Sequence, residues 1–179
     1  MADPGTQPAN GNGLIGAAAA PPHDEEAEAS VLGAIMLADR WFDTITVDVH
    51  LSPHDFYRPR NRVIFQAMMD LNSDSEAIDT LTVSARLVET GKLEEAGGKD
   101  YIDTLVTRIP SLGNTKQYGQ IVKENSLLRG LVRASQEIQE SVTTRDGDPR
   151  ELLERAQQRV FEVAQDSQSG ELVQLSETL

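Results

Sequence analysis

The last third of the chain admits little besides a pair of long antiparallel helices. Asn114-Thr115-Lys116-Gln117 has the order of a capping box, in which the Asn oxygen takes an orphan backbone N–H and Gln reaches back. Tyr118, Ile121, Val122, Leu128, Leu131, Val132, Ile138 and Val142 follow, with steps of three and four recurring and Asn125 and Ser135 interrupting the seam. Thr143 to Gly147 reads as a turn. Asp148-Pro149-Arg150-Glu151 then sets Asp, Pro and Glu where a helix start favours them. Leu152, Leu153, Ala156, Val160, Phe161, Val163 and Ala164 continue the return helix. Two helices joined by about five residues lie antiparallel, which predicts a helical hairpin over 114–166.

That hairpin carries more apolar surface than one neighbour can cover. Ile121/Val122, Leu131/Val132 and Leu152/Leu153 are adjacent apolar pairs, so each stripe is wider than a single helix contact. Each such side chain left in water forgoes roughly 1.5–3 kcal/mol. Two covers are available: the rest of this chain, or the hairpin of another copy.

Upstream, helical signals dominate. Residues 1–21 are rich in Ala, Gly and Pro without apolar periodicity, which predicts a disordered tail. Asp24, Glu25, Glu26 and Glu28 crowd a first turn, where the helix dipole favours acids, and Ala27, Val31, Ala34, Ile35 and Ala38 follow. Trp41 to Val49 is apolar but ambiguous in type. Ser52-Pro53-His54-Asp55 starts a helical turn, and Pro59 opens a helix with Val63, Ile64, Ala67, Met68 and Leu71 on one side. Asp79 or Thr80 caps a helix that Gly91 ends in a left-handed C-cap. Tyr101, Ile102, Leu105, Val106 and Ile109 form the next stripe, stopped by Pro110. No alternating strand and no tight hairpin turn is evident. The expectation is an all-α chain: a compact multi-helix head over 22–113, the hairpin over 114–166 and a linker starting at 167–179.

Composition narrows the function classes. The 179 residues contain no Cys and a formal charge of -13, which excludes disulfide frameworks and cysteine nucleophiles and disfavours a broad grip on phosphates. The charge is uneven: residues 1–115 carry 18 acids against 8 bases, whereas 116–165 carry 8 of each. No apolar run reaches the ~18 residues of a membrane span, and no secretory signal opens the chain, so a cytoplasmic location is expected.

No catalytic constellation emerges. Gly97-Gly98-Lys99-Asp100 is not a phosphate-binding loop, because Leu93 occupies the first glycine position and Asp100 the magnesium-binding hydroxyl position. His50 and His54 have the spacing of a helical metal pair, but Pro53 intervenes and no third ligand is evident. Neither a cofactor nor a metal is expected. Arg58, Arg60 and Arg62, beside Phe56 and Tyr57, form the densest basic cluster; in an acidic head they read as partners for carboxylates, so strong nucleic-acid binding is not expected. Arg129/Arg133 and Arg155/Arg159 read as solvated hairpin faces.

Several strings, in order, resemble one family. Pro21-Pro22-His23-Asp24-Glu25-Glu26-Ala27-Glu28 running into Ser30-Val31-Leu32-Gly33-Ala34-Ile35-Met36-Leu37 is similar to the opening of bacterial replicative DNA helicases of the DnaB type. Asp55-Phe56-Tyr57, Ile64-Phe65 with Met68, Ile78-Asp79-Thr80-Leu81-Thr82, Gly97-Gly98 with Tyr101, Pro110-Ser111 with Asn114, and Tyr118-Ile121-Val122 continue in family order. The likeness covers about 21–166; Lys99-Asp100 and the first residues depart from it.

The resemblance implies an N-terminal domain that is not itself an enzyme, followed in the parent by an ATPase domain using ATP and magnesium to unwind DNA. It implies hairpins that pair between subunits as dimers within a hexameric ring, a collar that binds primase, and contact with a helicase loader. Family positions tied to primase contact or hairpin integrity fall near Asp79, Tyr101, Val132, Ile138 and Leu152, with Leu131 beside Val132 on the same apolar stretch. A helical adaptor attached to no motor is the alternative.

Overall fold

The computed structural model describes residues 20–168, and every regular element among them is helical. The all-α expectation holds. Most of the tail expected over 1–21, and most of the linker expected over 167–179, lie outside the described residues.

Helix α1 (Glu25–Leu37) is the central helix of the head. Asp24 caps it, its carboxylate accepting from the Ala27 N–H at 2.9 Å, and Glu25 and Glu26 complement the dipole of the first turn. Val31, Leu32, Ala34 and Ile35 are fully buried, and α1 packs against α2 (Arg40–Asp43), α3 (Pro59–Ser73), α5 (Gly98–Leu105) and α6 (Thr115–Thr144). A helix apolar on nearly every side has to be surrounded in this way. Gly33 allows the closest of these approaches: a Cβ there would stand 2.2 Å from the Leu105 carbonyl oxygen.

The ambiguous stretch after Trp41 is also helical. It runs as α2 and then as a wider π turn over Thr44–Asp48, which buries Phe42 and Ile45. Ser52 and Asp55 form the expected capping box around a short 3-10 turn at Pro53–Asp55. Pro59 is the first residue of α3, which buries Ile64, Phe65, Ala67, Met68 and Leu71. Phe65 packs tilted against Phe56 at a centroid distance of 4.9 Å, fixing the entry to α3 against its own core face.

Helix α4 (Thr80–Glu89) is capped by Asp79, which accepts from the N–H groups of Leu81 and Thr82 at 2.8 Å while Thr82 reaches back. Gly91 adopts φ +68° and lets the Lys92 N–H return to the Leu87 carbonyl. α5 ends at Leu105, short of the expected Ile109. The hydroxyls of Thr104 and Thr107 donate to the carbonyls of Tyr101 and Thr104, a local bonding that competes with helix continuation.

The hairpin forms as two helices, α6 and α7 (Pro149–Gln168). Its first cap differs from the expectation: Asn114 makes no side-chain cap bond. A 3-10 turn over Leu112–Asn114 feeds directly into α6 and holds Asn114 in a turn conformation, so its amide does not reach the first-turn donors. The second cap is as expected. Asp148 accepts from Arg150 and Glu151 N–H at 2.8 and 3.2 Å, and Glu151 returns a carboxylate to the Asp148 N–H. Arg145 and Gly147, both at positive φ, turn the chain between them. Asp148→Ala should therefore cost about 1 kcal/mol; a urea melt followed by circular dichroism checks it, and a curve superimposed on the parent's would contradict this boundary.

Candidate docking and assembly site

The polar centre of the head is a carboxylate that the sequence hides among the first-turn acids of α1. Glu28 is only 1% exposed. Its oxygens accept from the backbone N–H of Tyr57 and Arg58 and, at 2.7 Å, from the Asn61 amide, so it gathers donors from the segment leading into α3 and from its first turn. Asn61 in turn accepts from the Tyr101 hydroxyl at 2.7 Å. Arg60 lies over the Tyr101 ring at 3.9 Å. Burial raises the Tyr101 pKa above its ordinary value. A polar chain thus runs from α1 through the start of α3 to α5.

Among the described residues, one member of the basic cluster, Arg58, takes the expected carboxylate partner, and the other two turn to a ring and to carbonyls. Arg58 pairs with Glu25 and holds that carboxyl below its ordinary pKa. Arg60 covers Tyr101, and Arg62 donates to the carbonyls of Phe56 and Tyr57 at 2.6 and 3.3 Å. Arg129 corrects the expectation of a solvated hairpin face. It is 7% exposed and donates to the carbonyls of Pro22 and Asp55, joining α6 to both the approach to α1 and the turn before α3. Burial lowers its pKa. Lys123, one and a half turns earlier, lies 3.2 Å from both Asp55 carboxylate oxygens. Arg155 and Arg159 remain half exposed and pair with Asp146 and with Glu137 and Glu162.

His50 and His54 line one cleft with Asp55, but that carboxylate is committed to Ser52 and Lys123. No group of three or more potential ligands occurs among the described residues.

The six residues singled out for partner or subunit contact fall into two sets. Asp79 and Tyr101 sit on the head, where one caps α4 and the other closes the Glu28–Asn61 chain; each has a structural task. Leu131, Val132, Ile138 and Leu152 belong to the hairpin. Ile138 and Leu152 face one shallow groove between α6 and α7, with Val142 and Ala156, while Leu131 and Val132 are 40% and 43% exposed. The head shelters only the base of the hairpin. Leu128, Val142, Leu153, Val160 and Phe161 are exposed as well. Leu128, Leu131, Val132 and Val142 share one face of α6 by helical spacing, and Leu153 and Val160, seven apart, share one face of α7.

With this geometry in view, the sequence signature described as the DnaB-like helicase N terminal domain matches residues 20–124, more than half of the chain. The chain belongs to that family. It is similar to the replicative DNA helicase DnaC of Bacillus subtilis, 39% identical over 145 residues, which are 81% of this chain and 32% of that protein. It is also similar to the replicative DNA helicase DnaB of Geobacillus stearothermophilus, 35% identical over 89% of this chain and 35% of that one. The chain spans about a third of the length of the curated relatives it matches.

Among solved structures, the N-terminal domain of DnaB helicase from Mycobacterium tuberculosis superposes with a TM-score of 0.74 at 35% identity, over 79% of this chain and 99% of that one. A DnaB-like replicative helicase, described with its interactions with primase, superposes with a TM-score of 0.64 at 26% identity over 80% of this chain and 31% of that one. The sequence signature thus spans the head and the first ten residues of α6.

Glu28, Asn61 and Arg129 are the residues that sequence reasoning missed. Their partners lie 29 or more positions away in the chain, and periodicity reports only local neighbours. Glu28→Ala strands two backbone N–H groups and an amide inside the head, so it should cost about 3 kcal/mol or more. Chemical denaturation measures this, and a loss below 1 kcal/mol would mean that water replaces the carboxylate at little cost.

Proposed function

We propose that this chain is the assembly and primase-docking domain of a hexameric replicative DNA helicase. The observation that carries the proposal is the exposed apolar stripe on each helix of the hairpin. Seven large apolar side chains of α6 and α7, from Leu128 to Phe161, stand 40% or more exposed where the head does not reach. Burying even half of them against a second hairpin gains several kcal/mol at roughly 1.5–3 kcal/mol each, on the scale of a stable dimer contact. Two hairpins side by side make a four-helix bundle, the simplest arrangement that covers both stripes on each copy.

In this reading 22–113 is the docking head, 114–166 the dimerisation hairpin, and 167–179 the start of a linker to the motor. ATP and magnesium act in the motor domain of the full-length helicase, and the role of residues 22–166 is assembly and docking. Dimers join into the hexamer, with the head and collar surface, including Asp79 and Tyr101, offered to primase and to a helicase loader. The setting is the bacterial cytoplasm; no described helix is long and apolar enough to cross a membrane. The relative whose structure is described with its interactions with primase supports the partner, and the family membership supports the motor.

Sedimentation velocity across a concentration series tests the assembly. The parent chain should shift to dimer or larger species, and a Leu153→Asp/Phe161→Asp double variant should stay monomeric with unchanged helicity, since both positions are exposed within one chain. Mixed with purified primase, the parent should co-sediment with it. A concentration-independent monomer for the unmodified chain would overturn the reading.

A further inference from the structure

The cleft between head and hairpin collects more positive than negative charge. It has a volume of about 520 Å³ and is lined by His50, His54, Arg62, Lys123 and Arg133 around a single carboxylate, Asp55. That volume lies within the range of small-molecule sites. Asp55 is already neutralised by Lys123 at 3.2 Å and tied to Ser52. Arg62 donates to two neutral carbonyls, and among the described residues it has no ion-pair partner and Arg133 has neither a hydrogen bond nor an ion pair. Arg129 stands behind the cleft, bonded to carbonyls alone. Three cations against one acid is the reverse of the balance in the chain as a whole, whose net charge is -13.

The remaining wall is apolar. Leu127, Gly130 and Val163 line it, where α6 and α7 approach closely enough that a Cβ on Gly130 would be 3.2 Å from Val163.

We infer that this cleft binds a phosphorylated small molecule of nucleotide size. The phosphate end sits between Arg62 and Arg133, where guanidinium forks match phosphate oxygens, and the organic body lies against Leu127 and Val163. Charge argues for a small ligand over a nucleic-acid strand. The cations are gathered in one concavity, while the chain as a whole carries a net charge of -13, which opposes an extended polyanion. The bound ligand joins head and hairpin, because Arg62 belongs to α3 and Arg133 to α6. This site is independent of hairpin pairing, whose exposed stripes lie elsewhere apart from the edge contributed by Val163.

Isothermal titration of the 179-residue chain, free of magnesium, tests the site with ATP, inorganic tripolyphosphate and a short oligothymidylate. ATP should bind saturably at one site and more tightly than tripolyphosphate. Arg133→Glu should weaken ATP at least tenfold with an unchanged melting curve, since Arg133 holds nothing in the fold. Arg150→Glu, an exposed arginine outside the cleft, should leave ATP binding intact. No heat with ATP, equal loss in both variants, or tighter binding of the oligothymidylate would each overturn the inference. Tripolyphosphate binding as tightly as ATP would overturn the role of the apolar wall. Sedimentation of Arg133→Glu separates this outcome from hairpin pairing, which should persist in that variant.

Discussion

One buried carboxylate sets the geometry of the head. Glu28 is enclosed by apolar helices, and an ionised group there is tolerable only when donors surround it. The donors come from the segment leading into α3 and from its first turn, in the form of two backbone N–H groups and the Asn61 amide. These bonds are directional where the surrounding contacts among Val31, Ile64, Phe65 and Met68 are not, so they fix how α3 meets α1 along and around its axis. Asn61 passes the constraint to Tyr101 and thereby to α5. At the far end of α5, Gly33 lets α1 lie against the Leu105 carbonyl. Three helices are thus located by one acid, one amide, one phenol and one missing side chain.

The hairpin is attached by a second set of contacts, all on the first five turns of α6. A Cβ on Gly119 would lie 2.6 Å from Ile45, so α6 presses close against the π turn there. Val122 enters the apolar core, Lys123 meets Asp55, and Arg129 bonds to carbonyls from two separate head segments. Ala134 is the last buried residue of the described hairpin in chain order. Beyond it, α6 continues packed against α7. Docking at the base and exposure toward the tip are what a domain needs if its head is to stay rigid while its hairpin meets a second copy.

How much of this was legible in the sequence depends on how local the deciding contact is. The caps at Ser52, Asp79 and Asp148, and the glycine stop at Gly91, operate within a few residues, and each appears where the pattern puts it. Asn114 broke the rule because a preceding 3-10 turn had already taken its backbone. α5 stopped early because threonine hydroxyls took its carbonyls, a competition that apolar periodicity does not register. Glu28 looked like one more dipole-favoured acid and Arg129 like one more solvated arginine. Their roles come from segments 29 to 107 positions away. For the candidate site, the apolar excess of the hairpin was visible from composition and spacing. The split of the chosen residues into a head pair with structural tasks and an exposed hairpin set became visible only in three dimensions.

The hairpin is about 45 Å long at 1.5 Å per residue over the 30 residues of α6, and it is held at one end. A rod clamped this way loosens from its free end. Amide protons near the Arg145–Gly147 bend should exchange with solvent sooner than those beside Val122 or Arg129, and limited proteolysis should nick the bend before it touches the head. The same gradient leaves the tip as the part of the hairpin that this chain alone holds least firmly.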